Sequence, residues 1–249
     1  MPGVSDLFRL MRPLQWYKNL LVFVPLVFVG WLFDPVAFAV VALAFVSLCF
    51  VSSAGYVLND VVDARADRVH PEKRSRPVAS GVVSGYVGAV FAGGLLGGGV
   101  GIAFVLDAWL GVISVCLFVL SGVYSLWLKR EPIIDVILIG VNFVLRAVAG
   151  AVVLRVPVSA WLILCTFFLS LVLSVGKRRA ELLFLGRSAV VHRRALEGYS
   201  LRLLDVMLFV SVAMLVVSYS LFAFFGEHPG LFITLPLSLY SVWRFVQLS

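Results

Sequence analysis

Charged residues are scarce in this chain. Asp, Glu, Lys and Arg make up 13% of its 249 residues, whereas soluble domains contain about 25%. Apolar residues reach 62%, and runs long enough to cross a bilayer recur from end to end. This composition excludes an ordinary soluble domain and predicts an all-α, polytopic membrane helix bundle.

Cysteine and histidine are also rare, at three residues each. Cys49, Cys116 and Cys165 have no metal-type spacing, and each falls inside a predicted span, so we interpret them as small buried apolar residues. We expect no cleavable signal peptide, because no small-residue cleavage site follows a compact apolar core. These absences exclude a disulfide framework and a cysteine metal site.

The hydropathy pattern predicts eight membrane spans, which we count as one domain over residues 1–249. The first span is short and contains Pro25. Leu7, Leu10 and Met11 have near-helical spacing, which predicts an interfacial helix over residues 7–18. The predicted spans are residues 19–33, 36–58, 86–106, 108–128, 133–154, 159–176, 203–225 and 230–247.

Basic residues are distributed unevenly among the predicted loops. Of the 20 Lys and Arg residues, 17 lie in the N-terminal segment and in the loops 59–85, 129–132 and 177–202, all on one side. By the positive-inside rule, we expect both termini and these loops to be cytoplasmic in the cell membrane. This topology accounts for most of the net charge of +7, so nucleic acid is not indicated as a partner.

The third span is rich in glycine. Its run from Gly93 to Gly101 contains six glycines. No strand precedes the run, so a nucleotide-binding loop is disfavoured. Small residues let membrane helices approach closely, and we expect this run to serve helix packing.

Oxygen-bearing side chains gather after the second span. If that helix continues, Asn59, Asp63 and Asp67 lie at positions i, i+4 and i+8 on one face, with Asp60 about 100° around the helix. Acidic residues are costly at a membrane helix end, and carboxylates are preferred ligands of Mg²⁺. The four residues therefore predict an Mg²⁺ site, with Asp63 and Asp67 catalytic.

Basic residues follow this acidic cluster directly. His70 and Pro71 lead into Lys73, Arg74 and Arg76. A polyphosphate bound to Mg²⁺ would place its oxygens beside these cations. We expect all three to bind phosphate and Lys73 to act in catalysis. The alternative is a solvated helix end whose aspartates pair with Arg65 and Arg68.

A second polar group begins loop 177–202, at the mouth of the sixth span. Lys177 and Arg178 are candidates for binding phosphate, and Glu181 is the main acidic residue beside them. The alternative is an ordinary positive-inside anchor. That alternative carries more weight for Arg193, Arg194 and Arg202.

The fifth span contains unusual polar residues. Asp135, Asn142 and Arg146 are spaced by seven and four residues, so they share a helical face that climbs about 16 Å. An arginine at that depth must face a partner or a polar cavity. Both remain open: a polar cavity, or a structural pair with Asp135 or a carbonyl. Tyr124 and Lys129 close the preceding span.

An aromatic segment precedes the first span. Trp16 and Tyr17 are typical of an interfacial aromatic belt. Lys18 and Asn19 follow at the membrane surface, where either a structural or a ligand-binding role is possible.

These motifs together resemble the UbiA-type intramembrane prenyltransferase superfamily, whose N-D-x-x-D-x-x-x-D signature is complete at Asn59, Asp60, Asp63 and Asp67. The extended form D-x-x-H-P-x-K-R-x-R-P-V-A-S-G is specific to a smaller group within the superfamily. With R-P-x-Q-W-x-K-N and G-K-R-R-A-E-L, it resembles decaprenyl-phosphate phosphoribosyltransferases, over residues 7–247.

The resemblance implies a transferase of cell-wall arabinan precursor synthesis. It would move 5-phosphoribose from phosphoribosyl diphosphate to decaprenyl phosphate, with Mg²⁺ held at the signature. Tyr124 and Lys129 match an element that contacts diphosphate in the superfamily. The implied phosphate-binding residues are Lys18, Asn19, Lys73, Arg74, Arg76, Tyr124, Lys129, Lys177 and Arg178, with Asp135, Asn142, Arg146 and Glu181 lining a polar cavity.

The sequence departs from the superfamily pattern in two places. Members of the superfamily that use prenyl diphosphates carry a second acidic motif in the loop between the sixth and seventh spans. Here that loop, 177–202, is basic. This favours a donor with an extra phosphate over the alternative, an aromatic or quinone-precursor prenyltransferase. The superfamily usually has nine spans against the eight predicted here, so a truncated inactive relative or a lipid-phosphate transporter is the third possibility.

Overall fold

The protein is described here by a computed structural model covering residues 3–69, 71, 73–185, 194–226 and 229–249. The regular elements among these residues are all helical, which confirms the all-α prediction. The α-helices are α1 Val4–Met11, α2 Val24–Phe28, α3 Pro35–Val62, α4 Ala64–Val69, α5 Gly85–Leu106, α6 Ala108–Leu126, α7 Ile134–Val153, α8 Ala160–Leu185, α9 Leu201–Phe225 and α10 Leu235–Leu248.

The membrane spans are long, apolar helices. Within the described residues, seven are long and apolar enough to cross a bilayer: α3, α5 to α9, and the segment Gly230–Leu248 that contains α10. The chain is therefore a multi-pass membrane protein. These spans correspond to the second to eighth predicted spans.

The first predicted span, 19–33, is wrong as a continuous helix. A 3₁₀ helix over Pro13–Phe23 leads into α2, which is only five residues long. Gly30 ends it with a φ of 80°, and Gly30 and Trp31 donate to the carbonyls of Val27 and Leu26. This is a Schellman termination, which requires a left-handed residue and favours glycine.

The predicted interfacial helix over 7–18 is also shorter than expected. Helix α1 ends at Met11, and Arg12 adopts a left-handed conformation with φ 51°. Pro13 follows, and a residue before proline is disfavoured in the α-helical region. Leu10 is fully buried inside the protein, in an apolar cluster with Ala54 and Val57.

Helix α8 runs beyond its predicted end at residue 176 and reaches Leu185. Lys177, Arg178 and Glu181 are therefore helical residues instead of loop residues. Glu181 pairs with both basic residues at helical spacing, with N···O distances of 4.0 Å and 3.4 Å. Such pairs support a helix that continues into the polar region.

The described chain divides into two compact units. The first contains Met1–Ser125 and Leu145–Pro157, and the second Leu126–Val144 and Val158–Ser249. In the first, α3 packs on α5, and Ser47 Oγ donates to the Gly99 carbonyl at 2.7 Å. A Cβ on Gly99 would lie 2.9 Å from the Ser47 carbonyl oxygen. The predicted role of glycine in packing thus holds at this residue, whereas Gly93, Gly94, Gly97 and Gly101 border open space.

The second unit is built on the packing of α8 against α9. Val175, Leu204 and Leu208 belong to its apolar core. Arg179 Nε donates to Asp205 Oδ1 at 2.7 Å. The single domain remains a prediction.

The cysteines only partly follow the prediction of burial. Cys49 is buried, but Cys165 is half-buried and Cys116 is exposed on α6. Cys116 lies within a membrane span, where an outer helix surface meets lipid as readily as protein. The expected burial of Cys116 inside the protein is therefore wrong.

Candidate functional site

The acidic signature lies where α3 gives way to α4. The predicted continuous helix is interrupted, because α3 ends at Val62 and Asp63 is its C-cap. Two backbone bonds keep the helical spacing: Asp63 N–H donates to Asn59 O at 2.9 Å, and Asp67 N–H to Asp63 O at 2.8 Å. Asn59 and Asp63 are half-buried, whereas Asp60 and Asp67 are buried.

Two arginines lie on this acidic cluster. Arg76 Nη1 donates to Asp67 Oδ2 at 2.7 Å and to Asp60 Oδ1 at 3.2 Å. Arg12 Nη2 also donates to Asp60 Oδ1. The Arg12 guanidinium stacks 5.5 Å from the ring centroid of Tyr56. The signature is thus a mixed cluster of acids and arginines within the first unit.

The remaining basic residues of this segment are more accessible. Lys73 and Arg74 lie in a 3₁₀ turn, Lys73–Ser75, with Lys73 half-buried and Arg74 exposed. Arg68 Nε donates to the Ala79 carbonyl at 3.2 Å. His70 lies outside the described residues. The loop therefore presents cations beside the acidic cluster, as the sequence predicts.

The oxygen atoms of the signature suit an Mg²⁺ ion that is bound together with a substrate better than a metal ion whose ligands all come from the protein. In the described part of the chain, no three His, Cys, Asp or Glu side chains lie close enough to hold a metal alone. Mg²⁺ is usually bound by one or two carboxylates together with substrate phosphates. The oxygen donors of Asn59 and Asp63 are compatible with that mode.

A small cavity adjoins Asn59 inside the first unit, with a volume of about 40 Å³. Ser52, Tyr56 and Asn59 line it from α3, and Arg146 lines it from α7. Arg146 is buried, and its Nε donates to Asn19 Oδ1 at 2.8 Å. Arg146 therefore lines a polar cavity and also has a side-chain partner in Asn19, so features of both possibilities are present.

Three further predicted residues lie at helix ends or in short turns. Lys18 is half-buried, with Nζ 5.8 Å from the ring centroid of Tyr17. Tyr124 lies near the end of α6, and Lys129 lies in the 3₁₀ turn Leu128–Arg130. Their contacts with phosphate stay predictions.

The second unit contains its own carboxylate–arginine cluster. Arg178 Nε donates to Asp135 Oδ2 at 3.0 Å, and Tyr199 Oη donates to Asp135 Oδ1 at 2.6 Å. The Ile133 N–H donates to Tyr199 Oη at 2.6 Å. Burial, with the Asp135 contact, raises the pKa of the Tyr199 phenol. Asn142 is half-buried further along α7.

Sequence reasoning missed two residues of these clusters. Arg12 belongs to the quoted R-P-x-Q-W motif, but its spacing gives no sign of the contact with Asp60, 48 residues away. Tyr199 lies 64 residues from Asp135 and follows a basic stretch that looks like a topology anchor. Only tertiary structure brings these pairs together.

The fold and the acidic signature define a polytopic membrane transferase. The chain belongs to the UbiA prenyltransferase family, which matches residues 20–249. The acidic signature and both carboxylate–arginine clusters lie within that match, except for Arg12.

Curated relatives cover nearly the whole chain. The decaprenyl-phosphate phosphoribosyltransferase of Mycolicibacterium smegmatis is 37% identical over 236 residues, covering 93% of this chain and 74% of the relative. The protein of the same name from Mycobacterium tuberculosis is 34% identical over 230 residues, covering 89% and 74%.

A solved structure shares the fold. A UbiA homologue from Archaeoglobus fulgidus, bound to GPP and Mg²⁺, superposes with a TM-score of 0.78 at 19% identity. The match covers 98% of this chain and 86% of the homologue. At that identity the likeness concerns the fold alone.

Proposed function

We propose that this protein transfers 5-phosphoribose from phosphoribosyl diphosphate to a polyprenyl phosphate, in an Mg²⁺-dependent reaction at the cytoplasmic face of the cell membrane. The observation that carries the proposal is the mixed cluster at the end of α3. There, Arg12 and Arg76 contact the carboxylates of the signature that would hold a metal. A metal-bound diphosphate requires both kinds of side chain.

Within the signature Asn59, Asp60, Asp63 and Asp67, one or two carboxylates together with the substrate phosphates would hold the ion, which would supply Lewis-acid stabilisation of the leaving diphosphate. Arg76 and Lys73 would bind diphosphate oxygens from the loop that follows. Arg76 is partly exposed, so it can reach a phosphate, and the bound Mg²⁺ would then compensate the buried Asp67 carboxylate that Arg76 leaves.

The reaction needs little from a general base. An oxygen of the acceptor phosphate attacks C1 of the ribose as the bond from C1 to the diphosphate oxygen breaks. The nucleophile is already an anion, so no proton has to be removed. Cations that stabilise developing negative charge are therefore the main requirement, and the basic loop supplies them.

The relatives add support for this substrate pair. Both reported relatives are named decaprenyl-phosphate phosphoribosyltransferase, and the identity extends over about nine-tenths of the chain. Arabinan precursor synthesis for the cell wall is the corresponding role. Lys18, Lys129 and Lys177 are further candidates for phosphate contacts.

Membranes that contain the expressed protein provide the test. They are supplied with Mg²⁺, labelled phosphoribosyl diphosphate and polyprenyl phosphate, and we expect an organic-soluble ribosyl phosphate lipid that EDTA abolishes. A parallel reaction contains an isoprenyl diphosphate and an aromatic acid. Product only in the parallel reaction would replace the proposal with an aromatic prenyltransferase.

A further inference from the structure

The cavity beside Asn59 has an unusual lining for the interior of a membrane protein. Ser52, Tyr56 and Asn59 occupy positions i, i+4 and i+7 of α3, so they share one face that descends from the signature. Arg146 is the one charged side chain among the described residues that line the cavity. The rest of the described lining is uncharged and combines polar with apolar side chains.

The position of Arg146 is well fixed. Asn19 Oδ1 accepts from Arg146 Nε at 2.8 Å and from Ser52 Oγ at 3.5 Å. Asn19 Nδ2 donates to Cys49 Sγ at 3.3 Å, which fixes the amide from its other side. Because the guanidinium is planar, holding Nε sets the plane of the whole group.

Burying an arginine at membrane depth costs free energy, so such residues mark ligand or ion sites more often than packing positions. A passage that held only an isoprenoid tail would require apolar walls. Leu117 and Phe118 supply part of such a wall, yet Arg146 lines the same space. The lining therefore fits a ligand with an anionic head group.

We infer that this cavity is an anion subsite in which Arg146 binds a phosphate monoester group of a substrate. The inference rests on the proposed function, under which two groups qualify: the phosphate of the polyprenyl acceptor and the 5-phosphate of the donor. Asn59 belongs both to the signature and to the cavity wall. A phosphate bound here thus lies next to the metal-diphosphate site.

Gly55 offers a second way to test the subsite. It lines the cavity from α3, and a Cβ added there meets no atom within 4 Å. A leucine side chain at this position would extend into the cavity and leave Arg146 in place. Gly55→Leu therefore removes space, whereas Arg146→Gln removes charge.

The experiment measures binding to the purified full-length protein in detergent with Mg²⁺. One arm compares polyprenyl phosphate with the corresponding polyprenol. The other compares phosphoribosyl diphosphate with its analogue lacking the 5-phosphate. The variants are Arg146→Gln, Gly55→Leu and a control, Arg155→Gln, which removes an exposed arginine from the same unit.

We expect Arg146→Gln to weaken binding of one phosphate-bearing compound by about tenfold or more, because hydrogen bonds to charged groups are the strong ones. Binding of its phosphate-free counterpart should not change, and the affected arm identifies the phosphate. Wild-type affinities in both arms, or equal loss for a compound and its counterpart, would overturn the inference.

Gly55→Leu decides the matter if Arg146→Gln does not fold. A selective loss of the phosphate-bearing compound supports the subsite, and unchanged selectivity overturns it. The proposed function fails separately, when wild-type protein forms no ribosyl phosphate lipid. The binding arms still report on phosphate recognition in that case.

Discussion

The two units each contain a carboxylate–arginine cluster, and the clusters differ in their access to solvent. In the first, the side chains of Arg12 and Arg76 are 30% and 27% exposed above a buried Asp60. In the second, Arg178 is 2% exposed and Asp135 fully buried. A partly exposed arginine can reach a bound phosphate, and a metal ion at the signature would compensate the buried carboxylate that it leaves. Arg178 is enclosed, so its loss would leave Asp135 as a buried charge.

This difference assigns different roles to similar residues. The first cluster suits ligand binding, because its arginines are partly exposed and can contact a ligand. The second suits a structural pair that joins the start of α7, the end of α8 and Tyr199 within the second unit. The phosphate contact predicted for Arg178 remains a prediction, but its burial favours a positioning role.

The largest expected effect comes from breaking the buried pair. Arg178→Met should destabilise the protein by about 3–5 kcal/mol, because it leaves Asp135 as an uncompensated buried charge. Thermal unfolding in detergent measures the loss. The matched control is Arg179→Met, which removes a partly exposed pair with Asp205 and should cost about 1 kcal/mol or less. Equal costs would contradict the role of burial in this pair and remove the basis for treating Arg178 and Asp135 as a structural pair.

Removal of a proposed metal ligand should lower turnover instead of stability. We expect Asp63→Asn to lower transfer by about 100-fold or more, since metal ions supply several kcal/mol of charge stabilisation. Asp34→Asn is the control at the other end of α3, where the side chain caps the helix by accepting from Val36 and Ala37 N–H. Asparagine keeps that cap. Full activity of Asp63→Asn would refute the metal assignment.

Arg76→Gln should separate binding from folding. We expect the KM for phosphoribosyl diphosphate to rise about tenfold, as for loss of a charge-assisted contact. Stability should fall by less than in Arg178→Met, because Arg76 is partly exposed and glutamine can still donate to the buried Asp67 carboxylate. Arg65→Gln, an exposed substitution on α4, should leave both unchanged. A large loss of stability without a change in KM would make Arg76 structural.

The smallest effect concerns Tyr199. Tyr199→Phe loses the hydrogen bonds with Asp135 and Ile133 and should cost about 1–2 kcal/mol of stability. The raised pKa of the phenol means that its contribution is complete below the pKa of the unfolded state and is lost only at higher pH. The stability difference from wild type should therefore be flat between about pH 6 and 9. A difference that falls within this range would contradict the protonated phenol.

Much of the fold follows from the sequence because apolar length and turn residues are local signals. Helices α3, α5, α6 and α9 begin and end near their predicted limits. Pro13 and Gly30 impose backbone changes that a hydropathy window averages out, so the predicted first span is longer than the helix in the structure. Helix α8 extends beyond its predicted end because ion pairs of Glu181 stabilise its polar final turns. A hydropathy profile assigns such polar turns to a loop.

The candidate site was predictable only in its local part. Asn59, Asp60, Asp63 and Asp67 form a contiguous motif whose spacing carries chemical meaning. The contacts of Arg146 with Asn19 and of Arg178 with Asp135 join residues 127 and 43 positions apart. No spacing rule reaches such distances, so these partners are visible only in the tertiary structure.

The most direct test of the central claim uses phosphoribosyl diphosphate labelled both in the ribose and in the 5-phosphate. After incubation with wild-type protein, Mg²⁺ and polyprenyl phosphate, the lipid product should carry both labels in the ratio of the donor, with one diphosphate released per lipid formed. A lipid fraction without label, or with only one of the labels, would contradict transfer of an intact 5-phosphoribosyl group.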